Sequence, residues 1–248
     1  MRYLLAILIL TLQANVWAGA SRNFDGVGDS IAYTKPSGLT VGTDSFTMIE
    51  WIFWTNGPDN DDEVIVSQAD GTGTGRTWAM IDDNGVECGT ADELCNFLGN
   101  NTLDTTKVIS ASVWTHIAAQ SNETLGTTVL FSDAVQVGSE TATVEAATGV
   151  IRVGGAKAGG NTYADFEGQI AYAILCEGAL TVAQLSEIMY SPDAAFAYCG
   201  SNLYVYSPLF GLSSPEQDLS GNGTTGTLTG TAESSNGPPI LLAGGLPL

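Results

Sequence analysis

The sequence predicts an all-β sandwich made of many short antiparallel strands. Short runs of apolar and aromatic residues alternate with clusters of Gly, Asn, Asp, Ser and Thr, and glycine alone accounts for 30 of the 248 residues. This alternation is typical of strands joined by turns. Hydrophobic residues make up 44% of the chain and charged residues 14%, which is enough apolar material for a sizeable core. Because no linker-like segment divides the chain, we expect one domain of about 220 residues.

Eleven segments carry the strand pattern. The segment 46–54 is apolar on both faces, which favours a central strand buried from both sides. Asn84 and Gly85 predict a two-residue type I′ hairpin turn, because both can adopt a positive φ. The predicted strands are 29–33, 46–54, 63–67, 76–81, 107–110, 114–121, 127–131, 150–153, 168–176, 203–207 and 225–228.

One short helix is predicted near residue 181. Thr181 and Gln184 have the spacing of a capping box, and Leu180 and Leu185 are placed to form a hydrophobic staple around it. Pro192 ends the pattern. The apolar stripe at helical spacing consists of Val182, Leu185, Ile188 and Met189.

The first twenty residues have the pattern of a secretory signal peptide. Arg2 precedes an apolar run over 3–12, and small residues over 16–20 offer a cleavage site. The run is shorter than the ~20 residues that cross a bilayer, so cleavage is favoured over anchoring. The sequence therefore predicts a signal peptide over 1–20, a domain over 21–237 and an apolar tail over 238–248. The predicted location is secreted, extracellular or at the cell surface.

The expected charge excludes two classes of partner. Removal of Arg2 leaves 6 Lys and Arg against 27 Asp and Glu, a net charge near −21. Such a field repels the phosphates of nucleic acids and anionic lipid headgroups. We therefore expect neither nucleic-acid binding nor membrane insertion.

Four cysteines in an exported chain predict two disulfides, and three pairings are possible. Cys88 and Cys95 bracket a polar loop, while Cys176 ends a predicted strand and Cys199 follows the helical region. These positions favour Cys88–Cys95 and Cys176–Cys199. The chain has no C-x-x-C pair and a single histidine, so a structural zinc site is not expected.

Two sequence motifs of this chain lie near its opposite ends. The C-terminal segment 218–230 has the form D-x-S-G-N-G-x-x-G-T-L-x-G, and 24–29 has the form F-D-G-V-x-D. The chain resembles laminin-G-like domains of the concanavalin A-like lectin/glucanase superfamily, in which the first of these motifs usually precedes the second. The resemblance implies a jelly-roll β-sandwich of two antiparallel sheets with one short helix, its opening strand moved to the C-terminus. Gly28, where the family often has Asp, and the cysteine loop depart from the pattern. Further motifs of the family lie at 46–51, 113–118, 150–155, 166–170 and 179–188.

Such a permutation requires the terminal strands to be neighbours in space, as the termini of compact domains often are. If this condition holds, the permuted order is compatible with the sandwich of the family.

No catalytic residues are predicted. Retaining glycosidases need two carboxylates about 5–5.5 Å apart, and the E-x-D-x-x-E strand of related glucanases is absent from the sequence. Glu50 could face a concave surface, but no second acid follows it at the needed spacing. His116, the only histidine, lies in a W-x-H-I-A strand where a packed role is favoured over a general base.

An acidic segment is the candidate calcium site. Asp59, Asp61, Asp62 and Glu63 could supply several of the oxygen ligands that Ca²⁺ takes. The resemblance also implies calcium at such loops, which makes Ca²⁺ the one candidate cofactor. The alternative is an ordinary solvated acidic loop.

Sugar binding needs flat aromatic faces beside amide or carboxylate groups. Trp54 and Trp78 lie at or near predicted strand ends, and Asn161 and Tyr163 lie in a glycine-rich loop. These four are the candidate carbohydrate-binding residues, with burial in the core as the alternative for the two tryptophans. The motif position of Trp114 indicates a core residue.

The sequence thus predicts a secreted, non-catalytic recognition or adhesion module for an extracellular glycan or glycoprotein. The alternative is a structural subunit of an extracellular or virus-like assembly, in which the tail at 238–248 joins neighbouring copies by strand addition.

Overall fold

Two antiparallel sheets stacked face to face form the core of the protein, as the resemblance implies. The structure is a computed structural model, and it describes residues 20–34, 38–55, 63–69, 76–84, 91–98, 102–142, 144, 149–155, 164–210 and 214–240. The first sheet has eight strands in the order β10-β9-β8-β3-β13-β1-β17, with β14 also paired to β13. The second has nine strands in the order β15-β16-β2-β11-β4-β5-β6-β7, with β12 on β4.

The bounds of the strands are as follows. They are β1 Ser21–Asp25, β2 Ser30–Tyr33, β3 Phe46–Trp54, β4 Glu63–Ala69, β5 Arg76–Asn84, β6 Ala91–Phe97, β7 Thr102–Leu103, β8 Trp114–Asn122, β9 Thr127–Ser132, β10 Val135–Glu140, β11 Ile151–Val153, β12 Ala164–Asp165, β13 Glu167–Glu177, β14 Leu203–Ser207, β15 Glu216–Gln217, β16 Thr225–Thr229 and β17 Ala232–Ser234. Two helices, α1 Val182–Tyr190 and α2 Ala194–Cys199, and a 3₁₀ turn at Gly200–Asn202 follow β13.

Strand β3 lies in the middle of the first sheet and is buried on both faces, as its sequence predicts. Met48, Ile52 and Trp54 point between the sheets into the main core. Ile49 and Trp51 point the other way, into a second buried cluster that includes residues of both helices. The alternating direction of strand side chains therefore gives this strand two apolar faces and two separate cores to fill.

The helices cover part of the outer face of the first sheet. The predicted capping box of α1 is present, because the side chain of Thr181 accepts from the backbone of Gln184 and that of Gln184 accepts in return. Leu185, Ile188 and Met189 are buried. Val182 is 52% exposed, so the apolar stripe is narrower than predicted.

The predicted disulfide between Cys176 and Cys199 is confirmed, with Cα atoms 5.7 Å apart, and it joins β13 to α2. Cys95 is also in a disulfide. Its predicted partner Cys88 lies outside the described residues. The segment taken for a polar loop between them is largely strand β6.

The first two strands of the described chain pair with its last two, one pair in each sheet. Strand β17 pairs with β1, and β16 pairs with β2. This neighbouring position of the terminal strands confirms the condition that the permuted motif order requires.

Some predicted elements differ from those observed. The strand expected at 107–110 is reduced to a single bridge between Val108 and Glu93. Asn84 lies within β5 and opposite Ala91 of β6, so the strands pair but a longer connection than a two-residue turn joins them. The strands β1, β6 and β10 and the helix α2 were not predicted, and neither were the short strands β7, β12, β15 and β17.

The first residues of the predicted tail pack on their own domain. Pro238 is buried, and Ile240 is 1% exposed in the cluster on the outer face of the first sheet. Residues 241–248 lie outside the described residues, and so does the predicted signal peptide except for Ala20.

A buried ion pair links the two sheets near the chain ends. Arg22 of β1 donates from Nε to Oε1 of Glu216 in β15 at 2.5 Å, and both side chains are 5% exposed. A pair in such surroundings depends on both partners, because removal of one leaves an uncompensated buried charge.

Replacement of this ion pair tests its role. We expect Arg22→Met to lower the free energy of unfolding by about 3–5 kcal/mol, and Arg22→Met with Glu216→Leu to recover most of that loss. Arg152→Met, on the half-buried Arg152 of β11, serves as control. Urea denaturation measures all three. A loss below ~1 kcal/mol for Arg22→Met, as for a surface pair, would contradict the expectation.

Truncation of Ile240 tests the packing of the tail. We expect Ile240→Ala to lower the free energy of unfolding by about 2–5 kcal/mol, because the side chain leaves a cavity in a packed cluster. Val135→Ala, at a position 64% exposed, is the control and should change little. Equal effects of the two substitutions in a thermal melt would show that the tail does not contribute to the fold.

Candidate functional site

The two predicted sugar-binding tryptophans lie in the core. Trp54 is 1% exposed and Trp78 is 0% exposed. The ring of Trp78 contacts that of Phe46 at 5.2 Å, and its Nε1 donates to Oε1 of Gln68 at 3.1 Å. Neither tryptophan presents a ring face to solvent, so neither can stack on a sugar and the core alternative holds for both. Asn161 and Tyr163 lie outside the described residues.

The predicted calcium ligands are only partly described. Asp59, Asp61 and Asp62 lie outside the described residues. Glu63 opens β4, is 2% exposed, and its Oε2 accepts from the backbone N–H of Glu167 at 3.3 Å. Within the described ranges, no group of three or more His, Cys, Asp or Glu side chains could hold a metal ion. Ca²⁺ therefore stays a prediction for the acidic segment.

The two titratable groups considered for catalysis are both buried. Glu50 faces the interior between the sheets, not a concave surface, and its carboxylate oxygens have no hydrogen-bond partner among the described residues. Loss of hydration raises the pKa of Glu50 well above its usual value. His116 packs edge-on against Trp51 at 5.3 Å, and burial lowers its pKa to about 3. Its ring is thus uncharged at ordinary pH, as a packed histidine would be.

A turn rich in carboxylates follows β1. Gly26 and Gly28 both have positive φ, at 77° and 79°. Asp25 accepts from the N–H of Val27 at 2.9 Å, and Asp165 accepts from the N–H of Gly28 at 2.7 Å. Desolvation is the largest cause that raises the pKa of Asp29, and the charges of Asp25 and Asp165 add to it. These carboxylates hold the backbone of the F-D-G-V-G-D motif by accepting from its N–H groups. Gly28, where the family often has Asp, makes its polar contact through its backbone N–H.

Aromatic and amide side chains form a row across the outer face of the first sheet. Trp114 of β8 lies opposite Phe53 of β3, which lies opposite Gln169 of β13, which lies opposite Asn23 of β1. Residues directly opposite in antiparallel strands point to the same face. Their neighbours Trp54 and Phe24 belong to the inner core, so this row faces outward. All four row residues are half-buried.

Asn236, which follows β17, completes the row. Its Oδ1 accepts from Nε1 of Trp114 at 3.4 Å, and its Nδ2 donates to Oε1 of Gln169 at 2.7 Å. Its carbonyl oxygen accepts from Oγ of Ser21 at 2.6 Å. The exposed amide of Asn236 therefore spans from the indole to the amide of Gln169. We call Trp114, Phe53, Gln169, Asn23 and Asn236 the outer row.

The outer row combines aromatic rings with amides, the combination that the sequence predicts for sugar binding at other residues. The rings of Phe53 and Trp114 lie 5.5 Å apart with a tilt of 51°, and amides adjoin them. Apolar ring surface beside a few polar groups can bind a ligand that is apolar on one face and polar at its edges. Sequence reasoning missed the row because the motif position of Trp114 indicated a core residue. Aromatic and amide residues on adjacent strands indicate such a surface only when the order of the strands in the sheet is known.

The family was identified by its sequence profile. The profile described as the concanavalin A-like lectin/glucanases superfamily, a laminin G family, matches residues 25–186. No curated protein matches the chain by sequence. The described residues contain no helix long and apolar enough to cross a membrane.

Solved structures show the same fold at low identity. A candidate carbohydrate-binding protein from Bacteroides ovatus has a TM-score of 0.71 and 18% sequence identity. The match covers 90% of this chain and 61% of the Bacteroides ovatus chain. The extracellular region of zebrafish Adgrg6 gives 0.55 at 13% identity, with 93% of this chain and 28% of that one covered. Domain 4 of an extracellular arabinanase from Geobacillus stearothermophilus, in complex with arabinotriose, gives 0.50 at 16% identity, with 68% and 75% covered.

The buried carboxyl of Glu50 predicts a specific pH dependence. Above about pH 4.5 the unfolded chain loses this proton while the folded protein keeps it, so the wild type loses stability as pH rises. Glu50→Gln cannot titrate. We therefore expect its stability relative to the wild type to increase with pH above 4.5, by at most ~1.4 kcal/mol per pH unit.

Urea denaturation from pH 4 to pH 8 measures this difference. Glu140→Gln, which removes a carboxylate from the exposed strand β10, is the control. A stability difference between Glu50→Gln and the wild type that does not change between pH 4.5 and pH 8 would contradict the raised pKa of Glu50.

Proposed function

The chain belongs to the concanavalin A-like lectin/glucanase superfamily, and from this premise we propose that it is a secreted, non-catalytic module that recognises extracellular carbohydrate. The outer row is the observation that carries the proposal, because it combines two half-buried rings with three amides on one accessible face. Sugar C–H faces pack against rings, while sugar hydroxyls need groups that both donate and accept.

The similar structures support the same class of ligand. The Bacteroides ovatus protein is a candidate carbohydrate-binding protein, and the arabinanase domain holds arabinotriose. Both share the sandwich but little sequence, so they support a carbohydrate ligand without specifying which sugar.

A non-catalytic role is supported by the burial of the two strand residues that could act in hydrolysis. Glu50 and His116 are each 0% exposed, on opposite faces of the first sheet. Neither can touch a substrate at the surface, and acid–base catalysis needs a group within hydrogen-bond reach of the reacting atoms.

Calcium is proposed as an assisting ion, held by Asp59, Asp61 and Asp62. The support is the acidity of this segment and its position just before β4. Glu63 is excluded from the proposed ligand set, because its buried carboxylate already bonds the backbone of Glu167.

A glycan array tests the proposed function. Oxidised protein comprising residues 21–248 is applied with Ca²⁺ and again with a chelator. We expect selective binding to a subset of glycans, and weaker binding in chelator if the acidic segment holds calcium. Absence of binding in both conditions would refute carbohydrate recognition. Equal binding in both would refute only the role of calcium.

A further inference from the structure

We propose that the outer row binds uncharged saccharides and rejects those that carry carboxylate or sulfate groups. This inference rests on the proposed carbohydrate recognition and adds the site and the chemical class of the ligand. It follows from the arrangement of the row, its hydrogen-bonding capacity and the charges that border it.

The row is long enough for more than one sugar ring. Trp114, Phe53, Gln169 and Asn23 occupy four adjacent strands, and β17 adds Ala232 opposite Asn23. With neighbouring strands about 4.8 Å apart, the row extends roughly 14 Å from Trp114 to Asn23. A saccharide laid along it would meet the rings of Trp114 and Phe53, the amide of Asn236 that bridges Trp114 to Gln169, and then the amides of Gln169 and Asn23.

The amides keep hydrogen-bonding capacity for a ligand. Gln169 uses its Oε1 to accept from Asn236, and an amide nitrogen carries two N–H donors. In the described part of the chain, Nε2 of Gln169 and the second N–H of Asn236 have no protein partner in this row. Amides both donate and accept, which matches sugar hydroxyls.

In the strands of the first sheet, the charged side chains that border the row on its own face are negative. The next position along the same face of the sheet pairs Asp25 with Glu167, one exposed and one half-buried. Arg22 is the only lysine or arginine in the strands of the first sheet, all of which are described. It points inward and pairs with Glu216.

On this face, the strands of the first sheet offer no lysine or arginine to an anionic sugar. Carboxylate and sulfate groups are usually bound by arginine or lysine, and like charges brought together cost binding energy. The carboxylates of Asp25 and Glu167 can still accept hydrogen bonds from neutral hydroxyls. The row therefore favours an uncharged saccharide.

Matched pairs of glycans test this class. Lactose is compared with sialyllactose, and galactan with its sulfated form, within an array that also holds neutral glucans, xylans and arabinans. We expect binding to neutral probes only. Trp114→Ala and Gln169→Ala should each weaken the bound neutral probe by about tenfold, as expected for central binding residues. Tyr190→Ala, at a position 50% exposed at the end of α1, is the matched control.

A charge-removing variant tests the rejection itself. Asp25→Asn with Glu167→Gln keeps the shape of the surface and removes both carboxylates. We expect it to raise the binding of the anionic partner relative to the neutral one by about two- to fivefold for each charge removed. An unchanged ratio would show that these two carboxylates do not select the ligand and would overturn the proposed basis of selection.

The outcomes separate the two proposals. No binding to any probe would overturn carbohydrate recognition and this inference with it. Binding of anionic probes as tightly as neutral ones would overturn the ligand class alone. Neutral binding that survives both Trp114→Ala and Gln169→Ala, in variants whose circular dichroism matches the wild type, would overturn the assignment of the site.

Discussion

The ion pair between Arg22 and Glu216 joins the two sheets beside the pairs that the first two strands form with the last two. Its partners are 194 residues apart in sequence and lie on β1 and β15. Because a buried charge must keep its partner, the pair favours one relative position of the ends. The pairings β1–β17 and β2–β16 are formed next to it. Because these strands are adjacent in space, the strand that opens the sandwich in the family can come last in this sequence.

The most recognisable motif of the chain has a structural role at the same place. Asp218 accepts from the backbone N–H of Tyr206, and Asn222 donates to the carbonyl oxygen of Leu203. Ser220 donates to the carbonyl oxygen of Tyr204. These side chains bond the edge of β14 that faces away from β13, since unpaired backbone groups at a buried edge are costly. The motif lies between β15 and β17 and includes β16, so its hydrogen bonds tie this part of the second sheet to β14 of the first.

Periodic elements could be predicted from the sequence, and surfaces formed by distant segments could not. Strand β3 and helix α1 were found because their apolar residues repeat with the period of a buried strand or a half-buried helix. Strand β10 was missed because it is exposed or half-buried throughout and lacks that repeat. Trp54 and Trp114 show the limit for the site. Both lie at strand ends, and only the stacking of the sheets decides that the first is buried and the second reaches the surface.

The outer row combines residues from inside and outside the range that matches the family profile. Phe53, Trp114 and Gln169 lie within residues 25–186, the range that the family profile matches. Asn23 and Asn236 lie outside that range, on the two chain segments that pair as β1 and β17 or follow them. The amide that joins the indole of Trp114 to Gln169 therefore comes from outside the matched range. In the proposed site, the matched range provides the aromatic surface, while β1 and the residues after β17 bring the amides of Asn23 and Asn236 beside it.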